Sequence, residues 1–292
     1  MRVLHVDTGS EMRGGQWQCL RLVEAMCRDA VLLAPAASPL ARMGVERGIA
    51  VEPFSVARLV RLGRECDIVH VHDARAHSWA AAAGGAPLVV SRRVAFPVQG
   101  SFLSHWKYSR ARHYIAVSHC VRRLLLAAGV PEEKISVVYD GVPLPATRAA
   151  PECIVAPVSA DRLKGSSMAA EAARHAGFEI VFSNDLERDL RRARVFVYIS
   201  RTEGLGSAIL LAMAHGAAVV ASRVGGIPEI IEDGRNGVLT ENDPRAIARA
   251  MTRAAADAER LGSEARRTVA ERFTVEAMAE GAHAVYRRVL AC

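Results

Sequence analysis

The chain has 292 residues, 51% of them hydrophobic and 24% charged, with a formal net charge of +7. That length accommodates two domains of ordinary size, and the composition excludes a disordered chain. The N-terminal MRVLHV reads as a strand rather than the apolar segment of a signal peptide, and no run reads as a membrane span. A cytoplasmic protein is therefore expected. Six cysteines without paired spacing read as reduced thiols, and no zinc motif is present.

Apolar β-branched runs alternate with helical patterns along the first half. Strands are predicted at 1–6, 30–34, 49–54, 67–72, 88–91, 114–117 and 135–139. Between them lie helical stretches, among them 39–47, 57–64, 75–83, 99–112 and one from the Ser118 cap to 128. Short loops and strict alternation imply right-handed βαβ crossovers and a parallel sheet covered on both faces, an α/β fold. The segment 140–150 (DGVPLPATRAA) is rich in Gly and Pro, so a linker is placed there, with domains at 1–145 and 146–292. The second half repeats the alternation, with strands at 153–159, 179–182, 195–200, 217–222 and 237–239 and helices filling the remainder.

The stretch 200–229 (SRTEGLGSAILLAMAHGAAVVASRVGGIPE) concentrates the chemistry. A buried strand leads into Glu203-Gly204-Leu205-Gly206-Ser207, where glycines let the backbone approach a ligand and Ser207 is read as the cap of a helix ending at Gly216. A second strand leads into Gly225-Gly226-Ile227-Pro228-Glu229, read as a turn into another helix. Two strand–Gly loop–helix junctions side by side suit a diphosphate, because each aims free N–H groups and a positive dipole end at one spot.

These residues resemble the donor-site signature of the retaining glycosyltransferases of family 4. That pattern is Glu-Gly-x-Gly/Pro, a helix ending Ala-Met-Ala-x-Gly (here Ala212 to Gly216), a strand, then Gly-Gly-x-x-Glu. The resemblance extends over nearly the whole chain. It includes the glycine pair Gly14-Gly15 after the first strand, the His70-x-His72 strand end, and Ala116-Val117-Ser118 before a helix. It implies a GT-B fold: two Rossmann-like parallel-sheet domains facing a cleft, with the last helix crossing back to the first domain. The close spacing of Phe182 and Asp185 implies a C-terminal sheet reduced by one βα unit.

The resemblance also implies roles. Glu203 and His72 are the catalytic candidates. Donor binding falls to Gly14, Gly15, Arg162, Lys164, Gly204, Leu205, Gly206, Ser207 and Glu229, with Lys164 neutralising the diphosphate. Glu229 is read either as a donor contact or as a helix N-cap. Asp73 could orient His72 or the acceptor, whereas His70 is read as pointing to the opposite face and His5 is given no role. No metal and no cofactor are expected, the nucleotide-sugar being a substrate. In one respect the pattern is broken. The second carboxylate, eight residues after Glu203, is replaced by Leu211, and no Asp or Glu stands between Glu203 and Glu229.

Charge is uneven. Residues 1–146 hold 18 Lys/Arg against 12 Asp/Glu, and residues 147–292 hold 20 against 19. From Ala74 to Pro131 there is no acidic residue but eight bases, among them Arg92, Arg93, Lys107 and Arg110. Such a field attracts phosphates. Phe102, Leu103 and Trp106 fall at helical spacing beside those bases, which reads either as a helix lying in a membrane interface or as one facing the core. The acceptor/membrane side is assigned Asp73, Arg92, Arg93, Phe102, Trp106, Lys107 and Arg110.

The expected activity is retaining transfer from a nucleotide-sugar to a glycan or lipid-linked acceptor, in cell-surface polysaccharide or lipopolysaccharide synthesis, with an anionic membrane surface as a possible peripheral partner on its cytoplasmic face. The alternative is a non-catalytic GT-B partner subunit. A nucleic-acid role is not expected, because no recognised module accompanies the high pI.

Overall fold

Among the described residues, short apolar runs of three to six residues form twelve parallel strands, and the helices between them cover both sheet faces. The computed structural model describes residues 1–26, 29–98, 100–146, 151–159 and 165–291. The chain divides into two units, one of Met1–Gly141 with Val275–Cys292, the other of Val142–Thr274.

In the first unit the elements follow in the order β1 (Val3–Val6), α1 (Gly14–Met26), β2 (Ala30–Ala34), α2 (Pro39–Glu46), β3 (Ala50–Pro53), α3 (Val56–Glu65), β4 (Ile68–Val71), α4 (Ala74–Ala83), β5 (Leu88–Arg92), α5 (Phe102–Ser109), β6 (His113–Ala116), α6 (His119–Ala127) and β7 (Ile135–Val137). The seven strands run β3-β2-β1-β4-β5-β6-β7, all parallel. The order reverses between β1 and β4. In open parallel sheets such a switch point opens a crevice beyond the carboxyl ends of the strands. The core joins Leu20 and Val23 of α1 to Leu32, Ile68 and Val89 of the strands. Met278, Ala282, Val285 and Tyr286 of the last helix pack into the same core.

The second unit contains β8 (Cys153–Pro157), α7 (Ser166–Ala176), β9 (Ile180–Ser183), α8 (Leu186–Asp189), β10 (Ala193–Tyr198), α9 (Ser207–Ala214), β11 (Ala218–Ser222), β12 (Val238–Thr240), α10 (Pro244–Ala256) and α11 (Ala258–Arg272). Its sheet is ordered β12-β11-β10-β8-β9. Only Asn184 and Asp185 separate β9 from α8, so no further βα unit intervenes there. β10 and β11 are buried throughout apart from Arg194, and α9 is apolar on nearly every side (Ile209 to Ala214 all buried) because it lies between the sheet and α11. α12 (Val275–Ala291) closes the chain in the first unit.

Three local expectations are corrected. The 99–112 helix is shorter, Phe102–Ser109, and none of its residues is buried. A core-facing α5 is thereby overturned. The segment after Gly225-Gly226 is a three-residue 3₁₀ turn, Ile227–Glu229, rather than a helix. Ser207 is the first residue of α9, whose cap is Gly206 at φ +101° with no side-chain bond. Gly206 O already accepts from Ile209 N and Leu210 N, so Ser207 lies inside the first turn rather than at the cap.

Candidate functional site

In the first unit, the carboxyl ends of β1 and β4 bring together groups from four segments. Asp73 follows β4 and accepts four bonds: from Thr8 N (2.6 Å), Thr8 Oγ1 (2.9 Å), Arg75 N (2.8 Å) and Ala76 N (2.9 Å). It caps α4 and ties the loop after β1 to it, a positioning task. Asp7 accepts from Gly9 N (2.8 Å) and from Gln16 Nε2 (3.0 Å), and burial raises its pKa. Nothing in the local pattern singles out Asp7. Its significance comes from ending β1 at the switch point.

His72 is 6% exposed, and both of its ring nitrogens are engaged. Its Nε2 lies 3.0 Å from His5 Nδ1 and its Nδ1 3.2 Å from Arg93 NH1. A guanidinium only donates, so His72 Nδ1 accepts, and the neutral ring carries its proton on Nε2 and donates it to His5. Arg93 also donates from Nε to Asp140 Oδ1 at 3.1 Å, and the two side chains are 11% and 7% exposed. His70 is bonded through Nδ1 to Tyr286 OH (2.7 Å) and through Nε2 to Ser91 Oγ (2.8 Å). Its ring centroid is 4.2 Å from that of His72.

The reading that placed His70 on the opposite face is therefore wrong. Residues two apart on a strand share a face, so His70 and His72 point the same way. His5 joins them because β1 pairs with β4 in a register that sets His5 beside His70. Burial, assisted by Arg93, holds all three imidazoles below the ordinary histidine range, His5 at about 3. Their nitrogens lie within 4.8 Å of one another, as in a metal site. His72 is bonded to His5 and Arg93, and His70 separately to Ser91 and Tyr286, so the cluster is two neutral hydrogen-bonded groups in ring contact, with His5 Nε2 buried and unpartnered among the described residues.

Two residues assigned to the acceptor/membrane side turn inward. Arg93 belongs to this buried network. Arg92 donates to Tyr108 OH (2.6 Å) and to Phe96 O, so it holds α5 rather than facing a surface. Lys107 is half-buried, its Nζ donating to Ala74 O at 2.7 Å. Phe102, Trp106 and Arg110 remain exposed. Gly14 and Gly15 open α1, and a Cβ on Gly15 would touch the Arg93 side chain at 3.9 Å.

In the second unit, the loop between β10 and α9 carries Glu203. Its Oε2 accepts from Tyr198 OH at 2.5 Å and its Oε1 from Gly204 N at 3.2 Å. Burial and the neighbouring carboxylate push the Tyr198 phenol far up, so it stays a donor. Gly226 N donates to Glu203 O (3.1 Å), and a Cβ on Gly225 (φ +56°) would lie 1.8 Å from that oxygen. The second glycine pair is thus required because it packs directly on the Glu203 loop. Ser222 Oγ takes Ser200 N (3.0 Å) and donates to Asn242 Oδ1 (2.6 Å), and Asn242 Nδ2 donates to Ser200 O (3.0 Å). This ring of bonds ties the ends of β10 and β11 to the start of α10, and it was not read from the sequence because its members stand 20 to 42 residues apart.

Gly204, Leu205 and Gly206 are buried in this loop and Ser207 is half-buried. Glu229 ends the 3₁₀ turn and the next element is β12, so there is no helix for it to N-cap. Arg162 and Lys164 lie outside the described residues. Their neighbour Gly165 donates to Ile199 O at 2.8 Å, which sets the start of α7 against the end of β10. Leu211 is 6% exposed, on the helix packed against α11.

The Glu203-Gly-x-Gly loop, a following helix N-terminus, and a glycine pair packed onto the same loop form one structural unit. The family descriptions agree: "Glycosyltransferase Family 4" matches residues 23–145 and "Glycosyl transferases group 1" matches residues 126–257. The chain belongs to glycosyltransferase family 4.

Among similar proteins, the alpha-maltose-1-phosphate synthase of Mycolicibacterium smegmatis is 39% identical over 123 residues, which is 39% of this chain and 32% of that protein. The lipopolysaccharide core biosynthesis mannosyltransferase LpcC of Rhizobium leguminosarum is 38% identical over 110 residues, 36% of this chain and 31% of that one. The matched segments thus span about a third of those relatives' length. In fold, the chain is similar to Anabaena Alr3699/HepE, solved in complex with UDP and glucose, at a TM-score of 0.86 and 18% identity over 98% of this chain and 99% of that one. The family 4 chain accordingly has the GT-B architecture of two Rossmann-like sheets, here of seven and five strands.

Proposed function

We propose that this family 4 protein is a retaining glycosyltransferase, moving a sugar from a nucleotide-sugar to a hydroxyl of a glycan or lipid-linked acceptor in cell-surface polysaccharide or lipopolysaccharide synthesis. The observation that carries the reading is the Glu203 loop, clamped by Tyr198 on its side chain and by Gly225-Gly226 on its backbone. A carboxylate held this way accepts from sugar hydroxyls, while the N-terminus of α9 offers amides and a positive dipole end to an anion.

In this reading the bond from the sugar C1 to the diphosphate oxygen breaks and a bond from C1 to the acceptor oxygen forms on the same face, with the acceptor proton lost to the medium or to the leaving phosphate. Fixed donors that meet developing charge on the diphosphate stabilise the transition state without reorganisation. Lys164 is the residue proposed to meet that charge. His72, both nitrogens engaged, acts by shape and dipole rather than as a base. UDP is the first donor nucleotide to test, because Alr3699/HepE was solved with UDP and UDP-glucose.

A specific observation favours a second reading. The position of the second carboxylate is a buried leucine, Leu211, which suits a GT-B subunit that supports a partner without turning over. Thermal unfolding with UDP-, GDP-, ADP- and CMP-sugars, followed by product analysis with the stabilising donor, separates the two. Stabilisation with transfer supports the enzyme, stabilisation without transfer to any glycan or lipid acceptor supports the subunit, and no stabilisation by any of the donors removes the donor-site reading.

A further inference from the structure

Helix α5 is held to the first unit from one side only. Tyr108 stacks on Tyr114 with ring centroids 5.5 Å apart and 12° between planes, and its hydroxyl takes a bond from Arg92. Lys107 reaches Ala74 O, and Ser101 caps the first turn through Ser104 N at 3.2 Å. At 100° per residue, positions 102, 103 and 106 lie roughly opposite Tyr108. That outer face is apolar and open: Phe102 is 85% exposed, Leu103 73% and Trp106 41%. Soluble surfaces leave single apolar side chains bare, but three large ones on one face of a helix without a single buried residue mark a contact surface.

Charge identifies the partner. At the C-terminal end of α5 a cavity of about 400 Å³ opens, and among the described residues its only charged lining groups are Arg110, Arg112 and Lys134. None of these three forms an ion pair among the described residues, nor do exposed Arg75 and Arg123. In the second unit several exposed arginines are paired: Arg188 with Asp189, Arg192 with Glu152, Arg235 with Glu232 and Arg260 with Asp257. Arg93 and Arg122 of the acid-free run are paired with Asp140 and Glu132, but Arg110, Arg112 and Lys134 stand without an ion pair, among the described residues, beside an apolar helix face.

We propose that α5 docks the protein on an anionic bilayer, with Phe102, Leu103 and Trp106 entering the acyl boundary and Arg110, Arg112 and Lys134 taking lipid phosphates at the cavity mouth. Aromatic and aliphatic side chains on one helix face with bases at its edge match interfacial binding, in which apolar insertion resists salt and the basic contribution does not. The proposal is independent of the transfer reading, since docking needs neither donor nor turnover.

The test is sedimentation of the full chain with vesicles of phosphatidylcholine alone and of phosphatidylcholine with 30 mol% (about, chosen to give a strong surface potential) phosphatidylglycerol, with no nucleotide-sugar present. Binding to the anionic vesicles alone is expected, together with quenching by brominated chains that disappears in Trp106→Phe. Phe102→Ser with Leu103→Ser should lower partitioning about tenfold, as should Arg110→Glu with Arg112→Glu. Arg245→Glu with Arg249→Glu, in the second unit, should leave it unchanged. All these positions are exposed, so far-ultraviolet circular dichroism should report a folded chain throughout. Equal binding to both vesicle types, no binding to either, or a dimer that dissociates in Phe102→Ser without vesicle binding would overturn the proposal.

Discussion

The Tyr198 hydroxyl donates to Glu203 Oε2 over 2.5 Å, from the last residue of β10 to the loop that follows it. A strand end buried in the sheet thereby fixes a carboxylate in a glycine-rich loop that would otherwise be free to swing. Tyr198→Phe keeps the ring and removes only the donor. If Glu203 binds the donor sugar, the variant should stay folded and lose roughly tenfold in kcat/KM, about one charge-assisted hydrogen bond. Unchanged kinetics would show that the loop orients Glu203 without the phenol.

Gly225→Ala places a methyl 1.8 Å from Glu203 O, so the two loops must separate. The change lies at the surface side of the unit, and its expected effect is local: about 2–3 kcal/mol of stability at most with loss of nucleotide-induced thermal stabilisation. A comparison with Gly177→Ala is informative, because that glycine also has positive φ but a Cβ there meets nothing within 4 Å. It should cost stability alone and leave nucleotide binding intact.

The Arg93–Asp140 pair is nearly sequestered from water, and Arg93 also sets the tautomer of His72. Removing one partner leaves an uncompensated buried charge, so Arg93→Met or Asp140→Leu should each cost ~3–5 kcal/mol. The double variant should cost much less than the sum, which chemical denaturation of all four proteins would measure. Additivity would mean that the two charges are stabilised separately.

Acidification should destabilise the first unit earlier than carboxylate protonation does. His5 and His77 are both held at about 3 in the fold, chiefly by burial, while an unfolded histidine titrates near 6.5. Between those values the unfolded chain binds protons that the folded one refuses, so stability is full above about pH 6.5 and falls as pH drops toward 3. Each such imidazole contributes a slope of up to ~1.4 kcal/mol per pH unit. Denaturation at several pH values should show this slope, and His77→Gln should reduce it.

Leu211→Glu tests what stands where a second carboxylate would be. The side chain is 6% exposed on a helix packed against α11, so a glutamate there is expected to cost ~3 kcal/mol or more rather than to gain a ribose contact. A folded variant with tighter nucleotide binding would reverse that expectation and return Leu211 to the donor site.

The element types were legible because each depends on residues close in sequence. VFVYIS, AVVAS and VLHV are short β-branched or apolar runs, and they form β10, β11 and β1 within a residue or two of the expected bounds. The Gly-rich loop at 204–206 was legible for the same reason, since backbone permissiveness is a property of the residue itself. The acid-free composition of 74–131 was also visible as a count of charges.

What the sequence by itself determined, then, is the alternation that builds two parallel sheets, the glycine loops at their carboxyl ends, and the basic bias of the first half. The tertiary structure alone decided the partners. His5 meets His70 because β1 and β4, 65 residues apart, pair in one particular register, and no local period encodes that register. Arg92 and Arg93 turn inward while Arg110 and Arg112 stay free, although all four belong to the same acid-free run. Whether Phe102, Leu103 and Trp106 face the core or the solvent depends on which side of α5 the Tyr114 ring captures. Helical spacing defines a face. Only packing against the rest of the chain decides whether that face is covered.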